Sequence, residues 1–195
     1  MNQFVGSSDL VNQIIQASET NNEVARSLTA GLSEAQLNWK PSPEQWSIAQ
    51  CLEHLALATN EFERYLNTAL KQARKKPDVT QPPPYKPSLW GGWLAKAVDP
   101  ATPRKLRAPK VFRPAAASNI PQSLDLFLGA HTKFIEFVKQ CTAVDYNRAR
   151  LRSPVTPLIR YSVADAFVIT VLHGQRHLAQ ARRVREMPEF PRTET

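Results

Sequence analysis

The stretch SVADAFVITVLHGQRHLAQARRV, residues 162–184, decides how this chain is expected to fold. Its apolar side chains recur every three or four residues, which is the spacing of one face of an α-helix. Ser162 and Asp165 stand at the two ends of an S-x-x-D sequence, the spacing of a capping box at a helix start. Pro188 cannot continue a helix. The pattern therefore predicts a long helix that begins at Ser162 and ends before Pro188.

Two of the four histidines of the chain lie within this helix, four residues apart. His173 and His177 are one turn apart and leave the same face. Two imidazoles on adjacent turns can bind one divalent ion, but the same pair can also pack in a core. The spacing alone leaves both interpretations open.

Three further helices are predicted from the same periodicity. Residues 8–32 give the first, and the second runs from Ser47 to about Arg74, starting with a capping box of Ser47 and Gln50. The third begins with Pro121 in its first turn and ends near Cys141. Ser33 and Gln36 have the spacing of a short capped turn. Four long helices with one long connection predict an all-α four-helix bundle.

The long connection between helices two and three covers residues 77–121 and holds ten prolines. This composition breaks every helical pattern. Residues 88–98, SLWGGWLAKAV, are too apolar for a plain linker, and we expect an ordered excursion with a short helix that lies over the domain. We expect residues 1–195 to form a single domain with its core at about 8–186.

Basic residues are concentrated in one part of the chain. From Arg64 to Arg113 there are 12 Lys/Arg against two Asp/Glu, and the rest has 13 against 15. Such a charge could attract nucleic acid. The region is rich in proline and shows no recognition helix, which argues against nucleic acid as a partner and favours a solvated basic loop or the rim of a site for an anionic substrate.

Other features bear on the cellular setting. No run of about 18 uncharged apolar residues exists, and we expect no membrane partner. The start of the chain lacks the pattern of a signal peptide. Cys51 and Cys141 are far apart and form no CxxC, which is typical of buried thiols in a reducing cytoplasm. Helix one offers apolar surface that could form a homodimer.

A third histidine can join the pair on helix four. His54 lies two turns into helix two, and facing helices of a bundle can converge ligands on one ion. A lone histidine on such a face is otherwise a hydrogen-bonded core residue. Three neutral histidines leave open coordination positions, which is typical of a catalytic metal site. We interpret His131, on helix three, as a surface residue or one that supports a ligand.

Four neighbours of these histidines have competing interpretations. Gln180 can support a ligand through its amide or be a plain surface residue. Trp46 is expected to pack against the core at the helix start, with stacking on a substrate as the alternative. Arg176 is expected to point away from the histidines. Cys51 is expected to be a packing residue.

The sequence resembles the DinB-like superfamily (DinB/YfiT type). WKPSPEQWSIAQCLEHLA, residues 39–56, is similar to the helix-two signature of that family, and residues 162–184 contain its H-x-x-x-H-x-x-Q motif. KLRAPKVFRP, residues 105–114, is similar to a K-x-P…P segment that members carry before helix three. The resemblance covers residues from about 8 to 186.

The resemblance implies a four-helix bundle with one metal, zinc or nickel, held by His54, His173 and His177. It also implies a metal-dependent hydrolase, or a thiol S-transferase that uses a low-molecular-weight thiol and acts on a small electrophilic molecule. Members often carry a carboxylate shortly after the helix-two histidine, where this chain has Asn60 and Glu61. The alternative is a non-catalytic binding module that docks an anionic ligand or partner, with a structural metal or none.

Overall fold

Helices make up most of the described chain. The computed structural model describes residues 3–73, 82–102, 108–109, 112–114, 122–154, 156 and 158–192. Within these residues there are six helices and two short strands: α1 Leu10–Thr29, α2 Glu34–Asn38, α3 Ile48–Ala73, α4 Leu89–Val98, α5 Ser123–Lys139, β1 Arg150–Arg152, β2 Arg160–Ser162 and α6 Val163–Arg185. The expected all-α class is consistent with this content.

Capping boxes set the start of three helices at the predicted residues. Ser162 accepts a hydrogen bond from the backbone of Asp165, and Asp165 accepts one from the backbone of Ser162. Ser33 and Gln36 make the same reciprocal pair at α2. At α3, the Ser47 hydroxyl accepts from Gln50 N at 3.1 Å and Gln50 Oε1 accepts from Ser47 N at 3.2 Å. Each cap fixes the phase of its helix, and therefore the face on which a later histidine falls.

The four long helices pack on one another through apolar faces. α3 lies against α5 and α6, and α1 lies against the same two helices. α1 comes close to α6 at Gly174, where an added Cβ would be 2.6 Å from Asn21 Nδ2. The apolar residues of α1 are buried inside the chain: Leu10, Val11, Ile14, Ala25 and Leu28.

The excursion contains the expected short helix. α4 begins after Ser88, whose hydroxyl accepts a hydrogen bond from Gly91 N at 3.2 Å. It packs against α6. Several expectations for this region fall outside the described residues: the end of helix two at Arg74, the place of Pro121, and half of the segment 105–114. α5, as described, begins at Ser123.

Asp165 fastens the excursion to α6. Its carboxylate is fully buried and accepts hydrogen bonds from the Tyr85 hydroxyl at 2.9 Å and from the Ser88 hydroxyl at 2.6 Å. It also accepts from the Ser162 backbone at 2.9 Å. One carboxylate therefore caps α6 and holds the start of α4.

A strand pair was not expected from the sequence. β1 and β2 are antiparallel, with Leu151 opposite Tyr161. β1 lies in the connection between the predicted third and fourth helices, and β2 ends at Ser162, directly before α6. Among the described helices, none combines the length and hydropathy needed to cross a bilayer. Cys51 and Cys141 are free thiols and buried, which confirms Cys51 as a packing residue.

Candidate metal centre

Three histidines from two helices lie side by side. His54 comes from α3, and His173 and His177 come from α6. The Nε2 atoms of His54 and His173 are 3.1 Å apart. One nitrogen from each of the three rings lies within 4.8 Å of the others, and in the part of the chain that the structure describes no other group of His, Cys, Asp or Glu has this spacing. The sequence prediction that these residues converge is met.

The rings meet edge to face. Their centroids are 4.5 Å apart for His54 and His177, 4.7 Å for His173 and His177, and 4.9 Å for His54 and His173. The ring planes are inclined by 69° to 87°. The three rings are therefore in mutual contact, with one nitrogen of each near the other two. Two nitrogens that each lie about 2.1 Å from one ion are about 3.0 to 3.4 Å apart, so the His54–His173 spacing fits a shared ion.

The excursion orients His54. The Nδ1 atom of His54 donates a hydrogen bond to the backbone carbonyl of Phe112 at 2.5 Å. A proton on Nδ1 leaves the lone pair on Nε2, the nitrogen that faces His173. This is the arrangement by which an outer hydrogen bond fixes the tautomer of a metal-binding histidine. Phe112 was not singled out from the sequence, because a backbone carbonyl leaves no trace in residue type.

Gln180 fixes the tautomer of His177. Its Oε1 accepts a hydrogen bond from His177 Nδ1 at 3.0 Å. The lone pair of His177 is thereby placed on Nε2. Of the two interpretations for Gln180, the contact with a candidate ligand is the one observed. The spacing of three residues on one helix is the signal that could find it.

Burial keeps all three histidines neutral. Desolvation lowers the pKa of His177 to about 3. It lowers the pKa of His54, against a smaller opposite effect of the Phe112 hydrogen bond. For His173, desolvation and then the nearby His177 and His54 hold the pKa well below its usual value. His173 and His177 are densely surrounded, yet both keep part of their surface open to solvent. Neutral rings at pH 7 have lone pairs available for a cation.

Trp46 covers one side of the cluster. Its ring stacks on His177 with centroids 5.6 Å apart and planes 29° apart, and it lies 4.8 Å from the His54 ring. It also packs against the core cluster around Leu52 and Leu178. The predicted packing against the core is therefore correct, and the same ring forms a wall of the histidine site.

Arg176 points away from the cluster, as predicted. Its guanidinium donates hydrogen bonds to the carbonyls of Asp99 and Thr102, at 3.1 and 3.0 Å. It thereby holds the chain just after α4 against α6. Its charge is close enough to lower the pKa of His173 and His177 further.

The interpretation of His131 as a surface residue is wrong. It is 1% exposed, and its ring lies 4.1 Å from that of Phe127. Neither ring nitrogen has a hydrogen-bond partner among the described residues. It lies outside the three-histidine group. The prediction failed because His131 lies on the buried face of α5, whereas a polar residue among apolar ones in the sequence is usually expected to be exposed.

The chain has relatives among known proteins. The model of the DinB superfamily matches residues 17–181. A protein of Geobacillus thermodenitrificans (strain NG80-2), named "Putative metal-dependent hydrolase", is 26% identical over 167 residues, which is 84% of this chain and 78% of that protein. "Uncharacterized protein YuaE" of Bacillus subtilis (strain 168) is 30% identical over 163 residues, 82% of this chain and 89% of that protein. No solved structure matches the chain.

Proposed function

The chain belongs to the DinB superfamily, and from that premise we propose that it is a metal-dependent enzyme whose metal is held by His54, His173 and His177. The observation that carries the proposal is the meeting of three neutral imidazoles from α3 and α6. The name of the Geobacillus relative, which refers to a metal-dependent hydrolase, supports it.

The ion we propose is zinc or nickel. Three histidine nitrogens suit either ion and leave positions open. When bound, such an ion supplies Lewis acidity and a site at which water or a thiol is more acidic than in bulk solvent. The reaction we propose is hydrolysis, or thiol S-transfer with a low-molecular-weight thiol, on a small electrophilic molecule.

The residues of the chain have separate parts in this proposal. Phe112 and Gln180 keep the Nδ1 protons of two ligands in place, so that the Nε2 lone pairs stay directed at a common point. Trp46 forms an apolar wall that excludes water from one side. The open surface of His173 and His177 is the side from which a substrate approaches.

The test is an open coordination position. Protein loaded with Co²⁺ should show a visible absorption spectrum that changes on addition of 2-mercaptoethanol, because a thiolate occupies the free position. The loaded His131→Leu variant is the matched control, since that histidine lies outside the cluster, and it should respond in the same way. A cobalt spectrum that does not respond to thiol, azide or cyanide contradicts a catalytic site.

One observation favours the second candidate, a non-catalytic module with a structural metal or none. Among the described residues, the cluster contains no Asp or Glu that could move a proton. Glu61 is directed elsewhere, 3.8 Å from Arg64. A closed shell in the cobalt experiment would favour this module.

The proposal extends to the setting of the site. We take α1, α3, α5 and α6 as the four-helix bundle of the family and residues 77–121 as its crossover, within one domain. The free buried cysteines fit a reducing cytoplasm. A homodimer stays a prediction, and it would use a surface other than the apolar face of α1, which is buried within the chain.

A further inference from the structure

The outward side of α4 is apolar. Leu89 is 83% exposed, Trp90 47% and Trp93 51%. Lys96 is also exposed and follows Trp93 by three residues and Leu89 by seven, so it lies on the same side of the helix. We call these four residues the α4 outer face. Two half-exposed tryptophans and a leucine on one helix form an apolar patch of the kind that marks an interaction site.

The inward side of α4 explains why the large residues point out. Gly91 and Ala95 are buried there. A Cβ at Gly91 would lie 2.0 Å from the carboxyl carbon of Asp165. Only a small residue permits this approach to α6. The tryptophans therefore cannot be turned inward without separating α4 from the Asp165 carboxylate that holds it.

Two exposed lysines lie on or just before α4. Lys86 and Lys96 are exposed, and residues 82–98 contain no Asp or Glu. The sequence from Arg64 to Arg113 has 12 basic residues against two acidic ones. A partner for this face must accept apolar side chains and carry negative charge.

We propose that the α4 outer face docks on an anionic lipid surface. Tryptophan and leucine enter the boundary between headgroups and acyl chains, and Lys96 on the same helix, with Lys86 just before it, faces the anionic headgroups. A second copy of this face would bring Lys96 against its equivalent, and residues 82–98 contain no acid to offset the charge. Nucleic acid would pair with the charge and leave the apolar residues without a role. This inference replaces the expectation of no membrane partner, which rested on the lack of a spanning segment.

The experiment is sedimentation of the full chain with vesicles. We expect at least ten-fold stronger partition into phosphatidylcholine vesicles with 30% phosphatidylglycerol than into phosphatidylcholine alone. The Trp90→Ala/Trp93→Ala double variant should lose at least ten-fold, and Lys96→Gln about five-fold. The matched control is Leu126→Ala on α5, because Leu126 is 49% exposed and lies outside the face. It should bind as the unaltered chain does.

Other results overturn the proposal. Equal partition into both vesicle types, or partition unchanged in the double variant, removes it. A third result also overturns it: the unaltered chain is a dimer by analytical ultracentrifugation, the double variant is a monomer, and neither binds vesicles. The circular dichroism spectrum should be the same in all variants, since the altered side chains are half-exposed. His173→Ala should bind vesicles normally, so this result is independent of the metal site.

Discussion

Single hydrogen bonds at the Nδ1 atoms of His54 and His177 fix the tautomers of these rings, and therefore which nitrogen can bind a cation. Phe112 and Gln180 each accept from Nδ1, at 2.5 and 3.0 Å. Each of these two rings therefore keeps its lone pair on Nε2. The Nε2 atoms of His54 and His173 are 3.1 Å apart, a spacing at which one ring can donate a hydrogen bond to the other or both can bind one ion.

His131 predicts a dependence of stability on pH. Burial lowers its pKa to about 4. Its contribution is full above the unfolded pKa of about 6.5 and is lost as pH falls toward 4, because the unfolded chain binds the proton more readily. We expect the free energy of unfolding to fall by about 3 kcal/mol over this range from this residue.

The measurement is urea unfolding with a chelator between pH 7 and pH 4. The His131→Leu variant should keep the part of the slope that the other buried histidines cause, and should lose about 3 kcal/mol of the total change. Leucine leaves no polar atom unpaired, so the variant should fold at pH 7. Identical pH slopes for the two proteins would show that His131 does not titrate as its burial requires.

Much of the site could be predicted from the sequence, because residue spacing and helix caps determine which face a side chain occupies. His173 and His177 share a face because of their spacing, and the Ser47 cap fixes the phase that turns His54 inward. Phe112 was out of reach because it acts through its backbone. His131 was misjudged because the burial of a polar residue depends on what packs over it, here the ring of Phe127.

Among the helices and strands, the longer elements are the ones for which the sequence prediction agrees with the structure. The long helices repeat their apolar spacing over many turns, and the predicted capping residues start α2, α3 and α6. β1 and β2 have three residues each, too few for an alternating pattern to appear. Their pairing depends on Leu151 and Tyr161 being buried together, which is a tertiary effect.

Asp165 predicts a link between α4 and the rest of the fold. In Asp165→Asn, an amide replaces an oxygen that accepts from Ser162 N and from the Ser88 hydroxyl. In either orientation of the amide, its NH2 group would face a backbone N–H, that of Ser162 or that of Ser88. We expect a loss of about 3 kcal/mol in the free energy of unfolding.

Trypsin gives a second readout of that variant. Cleavage after Lys96, within α4, should become faster, because the carboxylate no longer holds the segment. Asp125→Asn is the matched control, since Asp125 is exposed, and it should change stability by less than about 0.5 kcal/mol. Equal stability and equal cleavage in both variants would contradict the role given to Asp165.

For the molecule as a whole, three sets of hydrogen bonds among the described residues hold the excursion against the helices that carry the histidines. They are the Asp165 contacts, the Arg176 contacts with Asp99 and Thr102, and the hydrogen bond from His54 to Phe112. The last one joins the excursion to a candidate metal ligand. α4 and Phe112, which contacts a candidate metal ligand, therefore belong to the same excursion, although the proposed lipid contact and the metal site can be tested separately.

The most direct test is the metal content of the purified chain. Protein prepared without chelator, incubated with excess Zn²⁺ or Ni²⁺ and dialysed, should hold about one ion per chain by inductively coupled plasma mass spectrometry. His54→Ala, His173→Ala and His177→Ala should each hold close to none, while His131→Leu should match the unaltered chain. A stoichiometric ion that survives the loss of His173, or an unaltered chain that retains no metal, would contradict the assignment of the three histidines as a metal centre.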